Sequence, residues 1–248
     1  MKRSQLDKDR GFVPDLGALL RDAAGATMLV LVNPNNPTGA FVPSEFIEAV
    51  LSMLDPRTLL LVDETYVDYV SPSPSVERKV AGRDNLLVLK SMSKYYALSG
   101  ARVAYLAAPS RIIGRLSTIS PPWAVGLPSQ VAAVAALGDE SYYRERVRQT
   151  RQLRERLAAD LRGLLGLRVY HSVANFILME LLDPSLSAEV VYCEMKRRGV
   201  HVRNCDSQSV QFNGRFLRTA VKDAVGNRVI AAALREVLET REVAAATG

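Results

Sequence analysis

The chain predicts an α/β fold: a three-layer α/β/α arrangement around a mostly parallel sheet, followed by a smaller α+β domain. Two observations carry this reading. Short, nearly continuous apolar runs alternate with amphipathic stretches through the first part of the chain, as expected of strands covered on both faces by helices. Past a long amphipathic stretch at Asp139–Leu165, the segments become shorter and mixed in character. We place the first domain at residues 1–145 and the second at 146–248.

Residues 1–14 read as a loop or a cut end. Asp15–Ala24, with Leu16, Leu19 and Leu20 in helical spacing, is a short helix. Met28–Val32 is a strand that runs directly into the turn-rich Asn33-Pro34-Asn35-Asn36-Pro37-Thr38-Gly39. Ser44 is read as the cap of a helix through Leu54, whose apolar face is Phe46, Ile47, Val50, Leu51 and Leu54. Leu59–Val62 is the next strand and ends in Asp63-Glu64-Thr65-Tyr66. Ser71–Pro74 is a surface loop, and Leu86–Leu89 and Val103–Ala107 are two further strands. Pro128–Leu137 reads as a small-residue helix. In the second domain, strands are expected at Arg168–Tyr170, Asn175–Glu180, Val200–Arg203 and Phe216–Val221. Helices are expected at Ser187–Arg198 and Asn227–Glu242, with a frayed tail at Val243–Gly248.

Composition narrows the function. The 248 residues carry a formal net charge of +6 with 23% charged and 48% hydrophobic residues, an ordinary globular profile. No apolar run approaches the roughly 20 residues that span a bilayer, and the N-terminus lacks the apolar core of a secretory signal. A cytoplasmic location with no membrane partner is expected. The densest basic run, Tyr143–Arg156, interleaves Glu145 and Glu155 with its arginines, so it reads as a solvated helix face rather than a nucleic-acid surface. Cys193 and Cys205 make no disulfide framework, and His171 and His201 lack ligand spacing, so no metal is expected.

The chemistry concentrates in Leu86–Ala108, where a buried strand delivers Ser91-Met92-Ser93-Lys94 and a turn at Ser99-Gly100 leads to Arg102. A lysine just past a strand, flanked by hydroxyls and followed by an arginine, suggests a covalently held, phosphorylated cofactor. Lys94 would be the attachment point and Arg102 a phosphate ligand. Lys90 belongs to the strand and is the weaker candidate. Ligands of open α/β sheets bind at the carboxyl ends of strands, which is where Asn36, Asp63 and Lys94 fall.

In this order and spacing, NPNNPTG, DETYVDY and SMSKYYALSGARVAY resemble the fold-type I pyridoxal-phosphate aminotransferases, most of all the histidinol-phosphate aminotransferase branch. The resemblance implies pyridoxal 5'-phosphate as cofactor, small amino-acid and keto-acid substrates, 2-oxoglutarate or glutamate as amino partner, and a homodimer. It implies that Lys94 holds the cofactor and moves a proton at the substrate's Cα, and that Asp63 pairs with the pyridinium nitrogen. Tyr66 and Asn36 would bond the phenolic oxygen, while Ser91, Ser93 and Arg102 would hold the phosphate. In the second domain Arg218 stands where the family carries its substrate-carboxylate arginine. An arginine inside an apolar strand is costly unless an anion meets it. Arg203 matches a second arginine for a distal phosphate, and Asn175 matches the family's small-domain pattern. The family also carries a preceding segment with a glycine-rich turn that grips the phosphate, and nothing upstream of Met28 matches it. The large domain is therefore expected to be incomplete. Two other readings remain open at this point: threonine-phosphate decarboxylation, and a non-catalytic remnant that serves as a folding or dimerisation partner.

Overall fold

A computed structural model of the chain describes residues 1–70 and 72–246, with side chains through Thr240. The chain divides into two compact units: Met1–Asn36 with Ala40–Val147, and Pro37–Gly39 with Arg148–Gly248. Each is built around one four-stranded sheet.

In the first unit, β1 (Met28–Val32), β2 (Leu59–Asp63) and β3 (Leu86–Ser91) pair in parallel, and β4 (Ala104–Ala107) pairs antiparallel to β3. Sheet order follows chain order. Asp15 caps α1 (Leu16–Ala23) by accepting from the Ala18 amide at 2.9 Å, which satisfies one of the helix's unpaired N–H groups. The start of α2 (Ser44–Met53) corrects the expectation that Ser44 is its cap. Ser44 is the first helical residue, Pro43 is the cap, and no side chain bonds the end; the fixed φ of proline suits it to launching the first turn.

Leu19 and Ala23 of α1 and Ile47, Val50 and Leu51 of α2 pack on Leu60, Val62, Leu86 and Val88, joined by Val76 and Val80. These last two flank or sit in a short 3-10 helix, Glu77–Gly82. This is the first core, and it closes one face of the sheet. Covering of the other face is unequal: Met28 and Val30 of β1 stay 42% and 54% exposed. Farther along, α3 (Ser110–Ser117) is a surface helix beyond the elements expected from the sequence. α4 (Leu127–Gly138) follows with Pro128 in its first turn, a position where a missing N–H costs nothing.

The long helix α5 (Glu140–Arg162) runs across the residue boundary between the units. In the second unit β5 (Leu167–Val169), β6 (Phe176–Leu181), β7 (Arg203–Asn204) and β8 (Phe216–Ala220) form an antiparallel sheet in the order β5-β6-β8-β7. Ile177, Met179, Leu181 and Leu217 pack against Leu157 and Leu161 of α5, Val191 and Met195 of α6 (Ala188–Arg197), and Ile230 and Leu234 of α7 (Ala224–Ala246).

Two boundaries differ from expectation. The strand expected at Val200–Arg203 is only Arg203–Asn204. Gly199, at φ 73°, and the Val200 amide close α6 onto Lys196 and Met195, and Val200 and Val202 are spent on the core instead of a ladder. α7 begins at Ala224, ahead of the expected Asn227, because the Asp223 carboxylate accepts from the Gly226 amide at 2.7 Å. It also continues to Ala246 through much of the tail expected to be frayed, whose last two residues, 247 and 248, lie outside the described residues. Of the expected loop Ser71–Pro74, Ser71 lies outside them too.

Candidate active site

Parallel pairing sets the ends of three strands side by side. Val32 lies opposite Asp63, and Asp63 opposite Leu89. The Asn33 amide donates to the Asp63 carbonyl and the Glu64 amide to that of Leu89, at 2.9 and 2.8 Å. Because side chains alternate along a strand, Asp63 and Ser91 share the face opposite the first core. Lys90 falls on the core side.

That division separates the two lysines. Lys90 is buried, its Nζ 3.2 Å from Asp68, 3.7 Å from Glu64 and 3.8 Å from Glu77. Tyr105, its cross-strand neighbour, donates to Glu77 at 3.2 Å. Glu64 is itself buried and accepts from the Val76 amide at 2.8 Å and the Ser75 hydroxyl at 2.5 Å. Burial pushes its carboxyl above the usual range, against the pull of Ser75, Val76 and Lys90. Lys94, by contrast, is exposed, and its amine has no bonding partner among the described residues. Only its backbone is fixed: the carbonyl accepts from the Ala97 amide at 3.1 Å and the Tyr69 hydroxyl at 3.2 Å.

Asp63 is held by its own turn. One carboxylate oxygen accepts from the Thr65 amide at 2.9 Å and the Thr65 hydroxyl at 2.5 Å, the local pattern aspartates favour. Tyr66 is 5% exposed, with its ring 6.5 Å from that of Tyr69. After β3, the Ser91 and Ser93 hydroxyls lie 2.8 Å apart, and the Ser99 hydroxyl donates to the Ser93 carbonyl at 2.6 Å. Arg102 is exposed at φ 53° and donates to the Ser99 carbonyl at 3.0 Å. A non-glycine residue in the left-handed region is uncommon, and here it accompanies the turn that returns the chain to β4.

Asn36 is exposed in the loop after β1. The buried residue that shapes this loop is Asn33, which donates to the Val42 carbonyl and accepts from the Val42 amide, both at 2.9 Å. The Asn33–Pro34 peptide is cis. Sequence reasoning passed over Asn33, although an asparagine at the first position past a buried strand was the available signal.

The three remaining candidates lie in the second unit. Arg218 of β8 stands in register with Leu178 of β6 on one side and Arg203 of β7 on the other. Its guanidinium lies 4.9 Å from the centroid of the Phe176 ring, within cation–π range. Arg203 is exposed. Two arginines directly opposite across a ladder repel one another, an arrangement that an anion between them relieves. Asn175 precedes β6, and its carbonyl accepts from the Val221 amide at 2.9 Å. The turn before it is pinned by a residue that is not among the candidates expected from the sequence. Arg154 of α5, 6% exposed, donates to the carbonyls of Val173 and Ala174 at 2.8 and 3.2 Å and pairs with Glu155 at 3.0 Å. Burial lowers its pKa, and Glu155 opposes that shift. Its signal was only an arginine on the apolar side of a helical pattern.

The parallel-rich sheet and its helices make the fold that of the fold-type I pyridoxal-phosphate transferases. Residues 2–234 match the family model described as aminotransferase class I and II, and the chain belongs to that family. It is 32% identical over 208 residues to histidinol-phosphate aminotransferase of Methanocaldococcus jannaschii, covering 84% of this chain and 55% of that one. Among solved structures it resembles the histidinol-phosphate aminotransferase of Clostridium acetobutylicum, with TM-score 0.88, 24% identity, and coverage of 96% of this chain and 71% of that one. It also resembles that of Sinorhizobium meliloti in complex with pyridoxal-5'-phosphate, with TM-score 0.79, 27% identity, and coverage of 91% and 61%. The chain thus spans little more than half the length of the curated relative. No helix among the described residues is long and apolar enough to cross a membrane.

Proposed function

We propose that this chain is the lysine-bearing part of a pyridoxal-phosphate-dependent aminotransferase. Its substrate is an anionic, phosphate-bearing amino compound of the histidinol-phosphate kind, with 2-oxoglutarate or glutamate as amino partner. The observation that carries the reading is the contrast between the two lysines. Lys90 is consumed by three carboxylates, whereas Lys94, past the same strand, presents an unengaged amine on the exposed end of the sheet.

The donor set fits the cofactor. Asp63 has one carboxylate oxygen taken by Thr65 and the other unbonded among the described residues, leaving an acceptor for a protonated ring nitrogen. Ser91, Ser93 and Arg102 supply hydroxyl and guanidinium donors of the kind that bind phosphate. When bound, the cofactor supplies an electron sink that makes the substrate's Cα–H acidic. The chain's own residues then have separate tasks. Lys94 anchors the cofactor covalently and carries the proton to and from Cα. Asp63 keeps the ring nitrogen protonated, and Tyr66 and Asn36 donate to its phenolic oxygen. Arg218, beside Phe176, takes the substrate carboxylate, and Arg203 the distal phosphate; Asn175 orients the substrate. A homodimer in the cytoplasm completes the proposal, supported by the family to which the chain belongs.

The test is reduction with borohydride after incubation with pyridoxal phosphate, followed by peptide mapping. A single adduct on Lys94 is expected, and an adduct on Lys90 or elsewhere would sink the assignment. Product analysis with histidinol phosphate and threonine phosphate separates the chemistries: a keto product with glutamate formed means transamination, and released carbon dioxide means decarboxylation.

A further inference from the structure

One polar contact at the candidate site has no part in holding cofactor or substrate. Tyr69, in the short 3-10 helix Val67–Tyr69, donates its hydroxyl to the backbone carbonyl of Lys94 at 3.2 Å. Its ring bridges both sides of the site, 6.5 Å from the Tyr66 ring and 6.0 Å, edge-on, from that of Tyr95. The helix that carries it is anchored from below, where Asp68 accepts from Lys90 at 3.2 Å and from the Ser73 hydroxyl at 3.0 Å. Lys90 is in turn held by Glu64 and Glu77.

We propose that Tyr69 is a positioning residue for Lys94. It clamps the turn that bears Tyr66, itself anchored by the Lys90–carboxylate cluster, onto the segment that bears the cofactor lysine. The inference rests on the reading of Lys94 as that lysine.

Geometry supplies the argument. Lys94 lies beyond the end of β3, so no ladder bond fixes its main chain. What restrains it is the Ala97 amide from its own turn and the Tyr69 hydroxyl from another. Of the two, only Tyr69 ties Lys94 to the β2 end, where Asp63 and Tyr66 sit. A long flexible side chain reaches one place reproducibly only when its Cα is fixed, and orientation of this kind is where small displacements cost rate. Burial pushes the Tyr69 phenol well above its usual range, so it remains a donor at every working pH.

The variant Tyr69→Phe removes the hydroxyl and keeps the ring packing. Two readouts separate positioning from folding: the pH midpoint of the bound cofactor's absorbance change, and the affinity for pyridoxal phosphate followed by the same absorbance. Loss of one hydrogen bond of this length predicts a fall in affinity of roughly two- to fivefold, with a displaced midpoint and a melting temperature close to that of the parent. Amide exchange at Ala97, measured without cofactor, is expected to quicken. A Tyr69→Phe protein with the parent's affinity, midpoint and Ala97 exchange would overturn the proposal while leaving Lys94 as the cofactor lysine. Failure of the parent itself to form an adduct at Lys94 removes the reading on which the proposal stands, and the proposal with it.

Discussion

Arg203 and Arg218 bring two charges of one sign into register across a two-residue ladder. Such a pair opposes pairing by roughly 0.2–1 kcal/mol. Arg203→Ala should therefore leave stability unchanged or slightly improved, while weakening phosphorylated substrate by about tenfold or more, as expected for loss of a charge-assisted bond. Thermal melts and KM measured side by side check it; a variant that loses stability and keeps KM would place Arg203 among the structural residues. The two thiols give a second test. Burial pushes Cys205 up to about 11 from 9.0. A neutral, buried thiol is inert, so Cys193, the more accessible of the two, is expected to react first in the native protein at pH 8, though slowly because desolvation and Glu189 push its own thiol up, and Cys205 only on unfolding. Because the folded pKa is raised, the stability linked to Cys205 is fully present below pH 9.0 and is lost as pH climbs through about 11.

At the scale of elements, two loops carry more than their lengths suggest. Gly39 sits at φ 73°, and a Cβ there would lie 2.1 Å from the Ser172 hydroxyl and 2.9 Å from its Cα. Gly39→Ala should cost at least about 1–2 kcal/mol from the left-handed conformation alone, read as a lowered urea midpoint. Arg154→Met strands the Val173 and Ala174 carbonyls and should cost about 1–3 kcal/mol, with a larger effect on substrate binding than on cofactor binding because Asn175 follows directly. The sequence made most elements legible because the apolar runs are long and punctuated: β1, β2 and β3 begin where expected, and NPNNPTG, DETYVDY and SMSKYYALSGARVAY put Asn36, Asp63, Tyr66 and Lys94 at or just past the ends of those strands. It failed at Val200–Val202, where apolar residues in extended spacing serve the core rather than a ladder. It failed also at Tyr69 and Arg154, whose roles depend on carbonyls 25 and 19–20 positions away, a distance no local pattern encodes.

For the molecule as a whole, the first sheet is bounded among the described residues by β1, whose Met28 and Val30 are exposed. A parallel edge with apolar side chains is a template for association. Val30→Lys should lower concentration-dependent light scattering of the isolated chain without disturbing the Lys94 end of the sheet. Equal scattering from parent and variant would show that the edge is covered in solution. The pairing pattern of that sheet also has a consequence in time. The β1–β2 and β2–β3 pairs join residues through crossovers, whereas β3 and β4 fold back on one another, with Ser91 opposite Ala104 and the Met92 amide on the Val103 carbonyl. The shortest closure is the least costly in chain entropy, and the segment it encloses is the one bearing Ser93, Lys94 and Arg102. In refolding followed by pulsed hydrogen exchange, the Met92 amide should gain protection before that of Asn33, so that the loop bearing Lys94 is drawn shut before Asp63 is paired on its far side.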